Sequence, residues 1–381
     1  MTAARVVFRR RIAVACALTV AAIFVAVAAS GGSSSTHGRT PSSPSSPSSP
    51  TNRPRSAAET SRFLAPGSDP SALPGPLLIA DEGNNRLVEI DPHGNVVWEF
   101  PRPGDLAPGQ TFKVPDDAFF TADGKQIVAT EEDNFVVSVI NVARHHIVWR
   151  YGTPGTSGSG ANQLANPDDA MMLTDGSVLS ADIKNCRIVL LRQHSNTPVR
   201  VWGKPYHCHH LAVPLRVASP NGAFPLSNGH FLVTEITHDW VSEIDLFANP
   251  PVTLWDVHPP KIHYPSDTNE VRPGVFVTVD YWHPGVIEEF DKTGKVLWFY
   301  KPTGADKLYR PSLAEALPNG DIIATDDYNH RVIIVDPKTD KVVWQYGHRG
   351  QPGTRSGFLH TPDGLDLAPP FSLLSKSGSS R

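Results

Sequence analysis

The chain carries the segment Val96-Val-Trp98-Glu-Phe100 and repeats its pattern, a short run with a central tryptophan, five more times. Branched and aromatic residues in such runs favour β-strands. Successive tryptophans are 51, 53, 53, 43 and 46 residues apart. Repeats of about 40–50 residues with four strands each are the signature of a β-propeller. Because these tryptophans recur in phase with the repeat, we expect them to pack between blades. The other members of the series are Trp149, Trp202, Trp255, Trp298 and Trp344.

A second pattern, a proline-led strand followed by an Asp-Gly or Asn-Gly hairpin turn, opens the repeats. The first opener comes only after the first tryptophan strand, whereas the last, Thr361-Pro-Asp363-Gly-Leu-Asp-Leu367, has no strand after it. We therefore predict that it supplies the inner strand of the blade begun by Leu77–Asp81, because this pairing closes the ring and removes exposed sheet edges. The prediction is an all-β, six-bladed propeller over residues 77–370, with a flexible tail at 371–381. Other openers are Pro115–Gly124, Pro167–Gly176, Pro220–Gly229 and Pro311–Gly320.

The first 76 residues have a composition unlike that of a packed domain. Arg5 and three arginines at 9–11 precede an apolar run from Ile12 to Ala29. A basic flank before such a run indicates export, and we expect residues 1–29 to be either a cleaved signal peptide or a helical membrane anchor. Residues 30–76 include a Ser/Pro tract and predict a disordered linker. Both alternatives place the rest outside the cytoplasm, and an uncleaved anchor would make the membrane a partner.

The charge of the chain is uneven. The formal net charge is −4, but residues 1–60 hold seven of the 34 basic residues and only one of the 38 acidic ones. The propeller region is therefore distinctly acidic, and it would repel the phosphates of nucleic acid. We exclude nucleic acid as a partner and expect cations or cationic ligands instead.

Two segments resemble the NHL repeat, whose usual form is Ala-Asp-x-x-Asn-x-Arg-Val-x-x-Phe/Ile-Asp. They are Ala80–Asp91 and Ala324–Asp336, and they contain the pairs Asp81/Arg86 and Asp326/Arg331. In that family the Asp and Arg brace blades, so the resemblance implies a structural role for these residues. Family members include lyases, lactonases, sensor domains and RNA-binding scaffolds, so the resemblance supports the fold and leaves the chemistry open.

Weaker similarities point to two other propeller families. Asp91–Trp98 and Asp291–Trp298 are similar to part of the tryptophan-docking motif of quinoprotein propellers, although the chain offers no residues to stack a quinone. The openers are also similar to those of bacterial arylsulfotransferases, which carry a catalytic His before the Asp. Here Pro115 and Pro167 occupy that position, which argues against sulfuryl transfer.

Carboxylates collect on one face of the predicted propeller, which we call the upper face. Loops that enter the inner strands and turns that join the second strand to the third both lie there. Inner strands line the central channel, so the carboxylates at their starts should converge near its mouth, where a divalent cation or a cationic ligand could bind. The alternative is that these side chains only cap turns. The predicted ligand-binding residues are Asp116, Asp117, Asp168, Asp169, Asp267 and Asp363. The second set of turns adds Asp81, Glu82, Glu131, Glu132, Asp133, Asp182, Asp280, Asp326 and Asp327.

The segment His207-Cys208-His209-His210 contains two kinds of metal ligand. Its three histidines are candidate metal ligands. Cys208 and Cys186 are the only cysteines beyond the apolar run, and export favours oxidation, so we predict that they form a disulfide.

Two functions remain open at the level of sequence. The first is a ligand-binding, sensing or interaction module outside the cytoplasm, with a small ligand or a cell-envelope protein as its partner. The second is an extracytoplasmic enzyme, a lyase, lactonase or sulfuryl transferase, working at the central channel.

Overall fold

A computed structural model describes residues 62–376, and in it the chain forms six four-stranded antiparallel sheets arranged as the blades of a propeller. Blade 1 combines the last strand of the described chain with the first three, and blades 2 to 6 each take four consecutive strands. The predicted signal or anchor at 1–29, and the linker before Arg62, lie outside the described residues. In the described part no helix is long and apolar enough to cross a membrane.

The strand bounds follow the repeat. In blade 1 they are β24 (Pro362–Leu367), β1 (Leu77–Asp81), β2 (Arg86–Ile90) and β3 (Val96–Phe100). Blade 2 has β4 (Pro115–Phe120), β5 (Gln126–Glu131), β6 (Val136–Asn141) and β7 (His146–Tyr151). Blade 3 has β8 (Pro167–Met172), β9 (Val178–Asp182), β10 (Arg187–Leu191) and β11 (Arg200–Gly203). Blade 4 has β12 (Pro220–Pro225), β13 (Phe231–Glu235), β14 (Trp240–Asp245) and β15 (Val252–Val257). Blade 5 has β16 (Pro265–Arg272), β17 (Val275–Asp280), β18 (Ile287–Asp291) and β19 (Val296–Tyr300). Blade 6 has β20 (Ala314–Ala316), β21 (Ile322–Asp326), β22 (Arg331–Asp336) and β23 (Lys341–Gly347).

The predicted closure of the ring is confirmed. Strand β24 pairs antiparallel with β1, with Leu77 opposite Leu367 and Ile79 opposite Leu365. All four side chains are fully buried. The last strand of the described chain therefore completes the first blade, and the inner strands form a continuous ring around the channel.

The position of a strand within its blade determines how deeply its residues are buried. Strand β1 is buried along its whole length, because neighbouring blades cover both of its faces. Strand β15 alternates between exposed and half-buried residues, because it lies at the outer edge of its sheet.

The tryptophans connect neighbouring blades, as expected. The indole Nε1 of Trp98 in blade 1 donates to the carbonyl of Val142 in blade 2, at 3.0 Å. Trp202 in blade 3 makes the equivalent bond to Leu246 in blade 4, at 2.6 Å. Trp344 closes the series by donating to Pro92 of blade 1, at 3.1 Å. Each of these indoles thus buries its ring and satisfies its donor on the next blade.

Residues on both sides of the predicted bounds 77–370 also pack on the propeller. Ala65 and Asp69 donate their backbone N–H groups to carbonyls of the outer strand β23. At the other end, the helix α1 (Leu373–Lys376) follows β24, and Leu373 and Leu374 are buried. The reason is apolar burial, since these leucines join the same core cluster as the inner strands of several blades.

Candidate functional site

Six buried carboxylates hold the loops that lead into the inner strands. In each blade the carboxylate at the end of the second strand accepts a backbone N–H from the entering loop. Asp182, for example, accepts from Ala165 at 2.7 Å. In four blades the same carboxylate also pairs with an arginine, as Asp182 does with Arg187 at 2.7 Å. We call this arrangement the clasp. The six carboxylates are Asp81, Glu131, Asp182, Glu235, Asp280 and Asp326.

Blades 4 and 5 replace the arginine of the clasp with histidine. Nδ1 of His210 lies 3.0 Å from Glu235, and Nδ1 of His263 lies 3.1 Å from Asp280. His210 is largely buried, stacks on Trp240, and also reaches Asp256 at 3.4 Å. Its charge, unlike that of arginine, depends on pH near neutrality.

The His210 clasp should make the stability of the propeller depend on pH. Burial lowers the pKa of His210, but the hydrogen bond and charge of Glu235, with those of Asp256, raise it above the usual value overall. A histidine with a raised pKa in the folded state contributes its full stability below about pH 6.5 and loses it as pH rises through that raised value. We expect His210→Gln to cost about 1–2 kcal/mol at pH 5.5 and less at pH 9. Urea denaturation of both proteins at the two pH values measures this, and a pH-independent difference would contradict it.

In five of the six blades, the residue before the proline that leads into the inner strand has a left-handed backbone conformation. Two of these residues are β-branched, Val114 with φ 50° and Thr361 with φ 54°. Such residues rarely adopt positive φ, and conformations of this kind cost on the order of 1–3 kcal/mol each. At Val114 and Thr361 this strain lies two residues before Asp116 and Asp363, carboxylates at the starts of their inner strands. The other three residues are Asn166, Ser219 and Arg310.

The six predicted aspartates fall into three groups of carboxylates, two of which share Asp116. Oxygens of Asp117, Asp169 and Asp267 all lie within 4.8 Å of one another, and we call these three residues the inner acidic site. Asp116 belongs to both remaining groups, one with Asp363 and Glu82 and the other with Asp168 and Glu132. We call these five residues the outer acidic arc. All eight carboxylates are at most 5% exposed.

Glycines make room for the inner acidic site. Gly222 of blade 4 and Gly364 of blade 1 occupy the strand position held by aspartate in blades 2, 3 and 5. A Cβ atom at Gly222 would overlap the carboxylate of Asp169, and one at Gly364 would overlap that of Asp117. Larger residues at these two positions would push the aspartates apart, so the glycines allow the carboxylates to gather.

Burial and like charge dominate the electrostatics of four of these carboxylates. Burial first, and then neighbouring carboxylates, raise the pKa of Asp116, Asp117, Asp168 and Asp169 well above the usual value. None of the charges that act most strongly on these four residues is positive. Within residues 62–376, neither oxygen of Asp169 meets a hydrogen-bond donor. Its carboxylate faces that of Asp267, and a proton or a cation between the two would relieve their repulsion.

The channel is filled by apolar side chains below the inner acidic site. Phe119 and Met171 lie two residues further along their strands than Asp117 and Asp169, and therefore on the same side. The ring of Phe119 meets that of Phe224 edge-on, with centroids 5.6 Å apart. All three pack in one core cluster with the leucines of α1. The inner acidic site is thus closed on its lower side.

The histidine candidates lie apart from these carboxylate groups. His210 is part of a clasp, and His207 and His209 lie exposed on either side of Cys208. No metal-capable group among residues 62–376 contains any of the three. The predicted disulfide between Cys186 and Cys208 is confirmed, with Cα atoms 5.1 Å apart. It attaches this loop to blade 3.

Glu82 and Glu132 belong to the outer acidic arc, although the sequence argument placed them only on the same face. Each follows directly after the carboxylate of a clasp, at the start of a short 3₁₀ turn. The feature of the sequence that could have indicated their role is the pair of consecutive acids, Asp81-Glu82 in blade 1 and Glu131-Glu132 in blade 2. In each pair the first acid belongs to the clasp and the second belongs to the arc.

Comparison with known proteins supports the fold alone. No protein-family profile and no curated protein matches the sequence, so the NHL resemblance stays a prediction. Among solved structures, the chain is similar to a protein of unknown function from Bacteroides caccae, with a TM-score of 0.51 and 16% identity, over 77% of this chain and 98% of that one. It is also similar to a streptogramin B lyase, with a TM-score of 0.50 and 15% identity, over 77% of this chain and 87% of that one. The protein is a six-bladed β-propeller.

Proposed function

We propose that this propeller is a cation-dependent binding module, and that its inner acidic site holds a hard divalent cation, calcium above all. The observation that carries the proposal is the contact of three buried carboxylates, one of which, Asp169, has two oxygens without a donor. Gathering like charges away from water costs several kcal/mol per charge unless a proton or a metal compensates them. A dication would satisfy these carboxylates at neutral pH.

The ligand chemistry favours calcium over other biological metals. The inner acidic site offers oxygens only, whereas zinc prefers nitrogen and sulfur ligands. Its burial leaves little room for the bound waters that magnesium retains, while calcium accepts six to eight oxygens in flexible geometry. Asn221 adds a neutral oxygen, because its amide nitrogen contacts Asp267 at 3.3 Å and its Oδ1 has no partner among the described residues.

The location outside the cytoplasm is part of the same proposal. The disulfide is compatible with an oxidising compartment, where free calcium is also plentiful enough for a weak site. A small ligand or a cell-envelope protein would then bind at the upper face. The alternative of a lyase, lactonase or sulfuryl transferase stays a prediction, because no arrangement described above favours a particular reaction.

Calorimetric titration of the full-length protein with calcium, after removal of metals by EDTA, tests the proposal. We expect binding to the natural protein and a loss of affinity of about 100-fold in the double variant Asp117→Asn with Asp169→Asn, because ligand charge largely sets calcium affinity. Without calcium the variant should melt at a higher temperature than the natural protein, since the repulsion is gone. Zinc and copper, titrated in parallel, should bind more weakly at this site.

Exposed carboxylates of the lower turns provide the matched control. Asp123→Asn with Asp175→Asn removes the same charge and should leave calcium binding unchanged, because both side chains are at least half exposed. No calcium binding by the natural protein, together with a destabilised Asp117/Asp169 variant, would show that these aspartates serve only as turn caps.

A further inference from the structure

Arg310 brings a positive charge to the upper face at the boundary between blades 5 and 6. It directly precedes Pro311, in the loop that enters the inner strand β20. Its backbone N–H donates to the carbonyl of Trp282 in blade 5, at 2.8 Å. Its half-buried guanidinium, however, forms no ion pair and donates no hydrogen bond to any residue of the described part of the chain. The loop is therefore fixed, while the charge that it carries is not neutralised.

Two tyrosine rings hold this guanidinium. Its Cζ lies 5.5 Å from the ring centroid of Tyr281 in blade 5 and 5.0 Å from that of Tyr328 in blade 6. Tyr328 in turn stacks on Tyr309, with centroids 5.1 Å apart. A ring face attracts a cation but offers it no lone pair, so the N–H donors of Arg310 are left for a ligand.

The repeat does not require an arginine at this position. In four other blades the residue directly before the proline that leads into the inner strand is a valine, an asparagine, a serine or a threonine. These blades build the same inner strands with short side chains. The blade architecture therefore does not account for the guanidinium of Arg310. The four equivalent residues are Val114, Asn166, Ser219 and Thr361.

The loops around Arg310 are basic, in contrast to the acidic channel mouth. Residues 301–313 carry three basic residues and one acid, and residues 348–361, which enter blade 1, carry two arginines and no acid. Arg349 of the second loop donates to the carbonyl of Lys307 in the first, at 3.4 Å, so the two loops lie side by side. This part of the rim should therefore attract anions. Its basic residues are Lys301, Lys307, Arg310, Arg349 and Arg355.

An exposed tryptophan lies next to Arg310. Trp282 does not belong to the six repeating tryptophans, and 51% of its surface is exposed. The residue after it, His283, packs on Tyr309 with centroids 4.2 Å apart. An exposed indole beside a fixed cation offers a flat apolar surface on which the ring of a ligand can stack. Tryptophan, tyrosine and arginine are also the residues that most often dominate binding energies.

We propose that Arg310 and Trp282 form a binding site for a small ligand that carries a carboxylate on a ring, such as an acidic sugar or an aromatic acid. Arginine matches the two oxygens of a carboxylate with a pair of parallel hydrogen bonds. The indole of Trp282 would cover the ring. The inference goes beyond the proposed function, because this site shares no residue with the inner acidic site and needs no metal.

Calorimetric titration of the full-length protein, freed of metals with EDTA, tests the site. The probes are glucuronate and benzoate, each beside its neutral analogue, glucose and benzamide. We expect saturable binding of at least one acid, and at least about tenfold weaker binding of its analogue, which leaves the guanidinium unpaired. Arg310→Gln should lower the affinity for the acid by a similar factor. Arg310→Lys should lower it less, because lysine keeps the charge and loses only the paired donors.

Arg355→Gln provides the matched control. Arg355 is an exposed arginine of the same basic loops, and it also lies over an aromatic ring, that of Phe358, at 4.6 Å. Its substitution removes the same charge and should leave the affinity for the acid unchanged. Thermal melting checks the fold of each variant. If Arg310→Gln does not fold, Arg310→Lys and Trp282→Ala decide, and both should bind the acid more weakly than the natural protein.

The outcomes separate the source of the ligand and the two proposals. Binding of only one acid supports the site and identifies the kind of ring that it takes. No saturable binding of either acid, equal binding of the neutral analogues, or equal affinity in Arg310→Gln and Arg355→Gln would overturn the site. Because these titrations contain no metal, a failure of the natural protein to bind calcium would overturn the proposed function and leave the carboxylate site standing.

Discussion

A chain that ends at Gly350 will fail to form a soluble, monomeric propeller. The truncation removes β24, and all six residues of that strand are buried. Full burial of Leu365 and Leu367 alone contributes about 3–6 kcal/mol. The loss also exposes the pairing edge of β1 and uncovers Leu77 and Ile79, which invites aggregation. Since domains are stable by only about 5–15 kcal/mol in total, we expect the fold to be lost.

A second truncation, after Lys376, provides the control. It removes only the five residues beyond α1 and keeps β24 and the buried leucines of the helix. Size-exclusion chromatography and thermal melting should show a cooperative monomer for this chain and aggregates for the shorter one. If the chain ending at Gly350 stayed monomeric with an unchanged melting temperature, the closing role of β24 would be wrong.

The architecture was predictable from sequence because it is periodic. The opener at Thr361–Leu367 follows the last tryptophan strand. Pairing it with the first strand of the propeller closes the ring and leaves no sheet edge exposed between the two ends. The pairing of β24 with β1 confirms this reasoning. The disulfide between Cys186 and Cys208 was likewise predictable from the sequence, because these are the only two cysteines outside the apolar N-terminal run.

The candidate site was only partly predictable, because periodicity does not show which way a side chain points. Asp116 and Asp117 are adjacent and alike in sequence, yet one joins the outer acidic arc and the other the inner acidic site. Glu82 belongs to the arc while Asp81, its neighbour, belongs to a clasp. Such divisions depend on the bulges at the starts of inner strands such as β4 and β8 and on contacts between blades, which no local pattern records.

The clasp of blade 3 should be among the most costly single interactions to break. Arg187 and Asp182 are both almost fully buried, and the arginine also donates to the carbonyls of Ser159 and Gln163. We expect Arg187→Gln to lower the free energy of unfolding by about 3–5 kcal/mol at neutral pH, because it leaves a buried charge without its partner. Urea denaturation measures the loss.

The same variant has a predictable pH dependence. Burial raises the pKa of Asp182 even with Arg187 beside it, and removal of the arginine should raise it further. An acid whose pKa is raised in the folded state destabilises the protein above its unfolded pKa of about 4 and stops doing so once pH falls below that value. The cost of Arg187→Gln should therefore shrink as pH falls from 7 towards 4. Adding Asp182→Asn should restore part of the stability at pH 7, because no buried charge then remains. A double variant that is no more stable than Arg187→Gln would mean that the arginine acts through its carbonyl contacts rather than through the carboxylate.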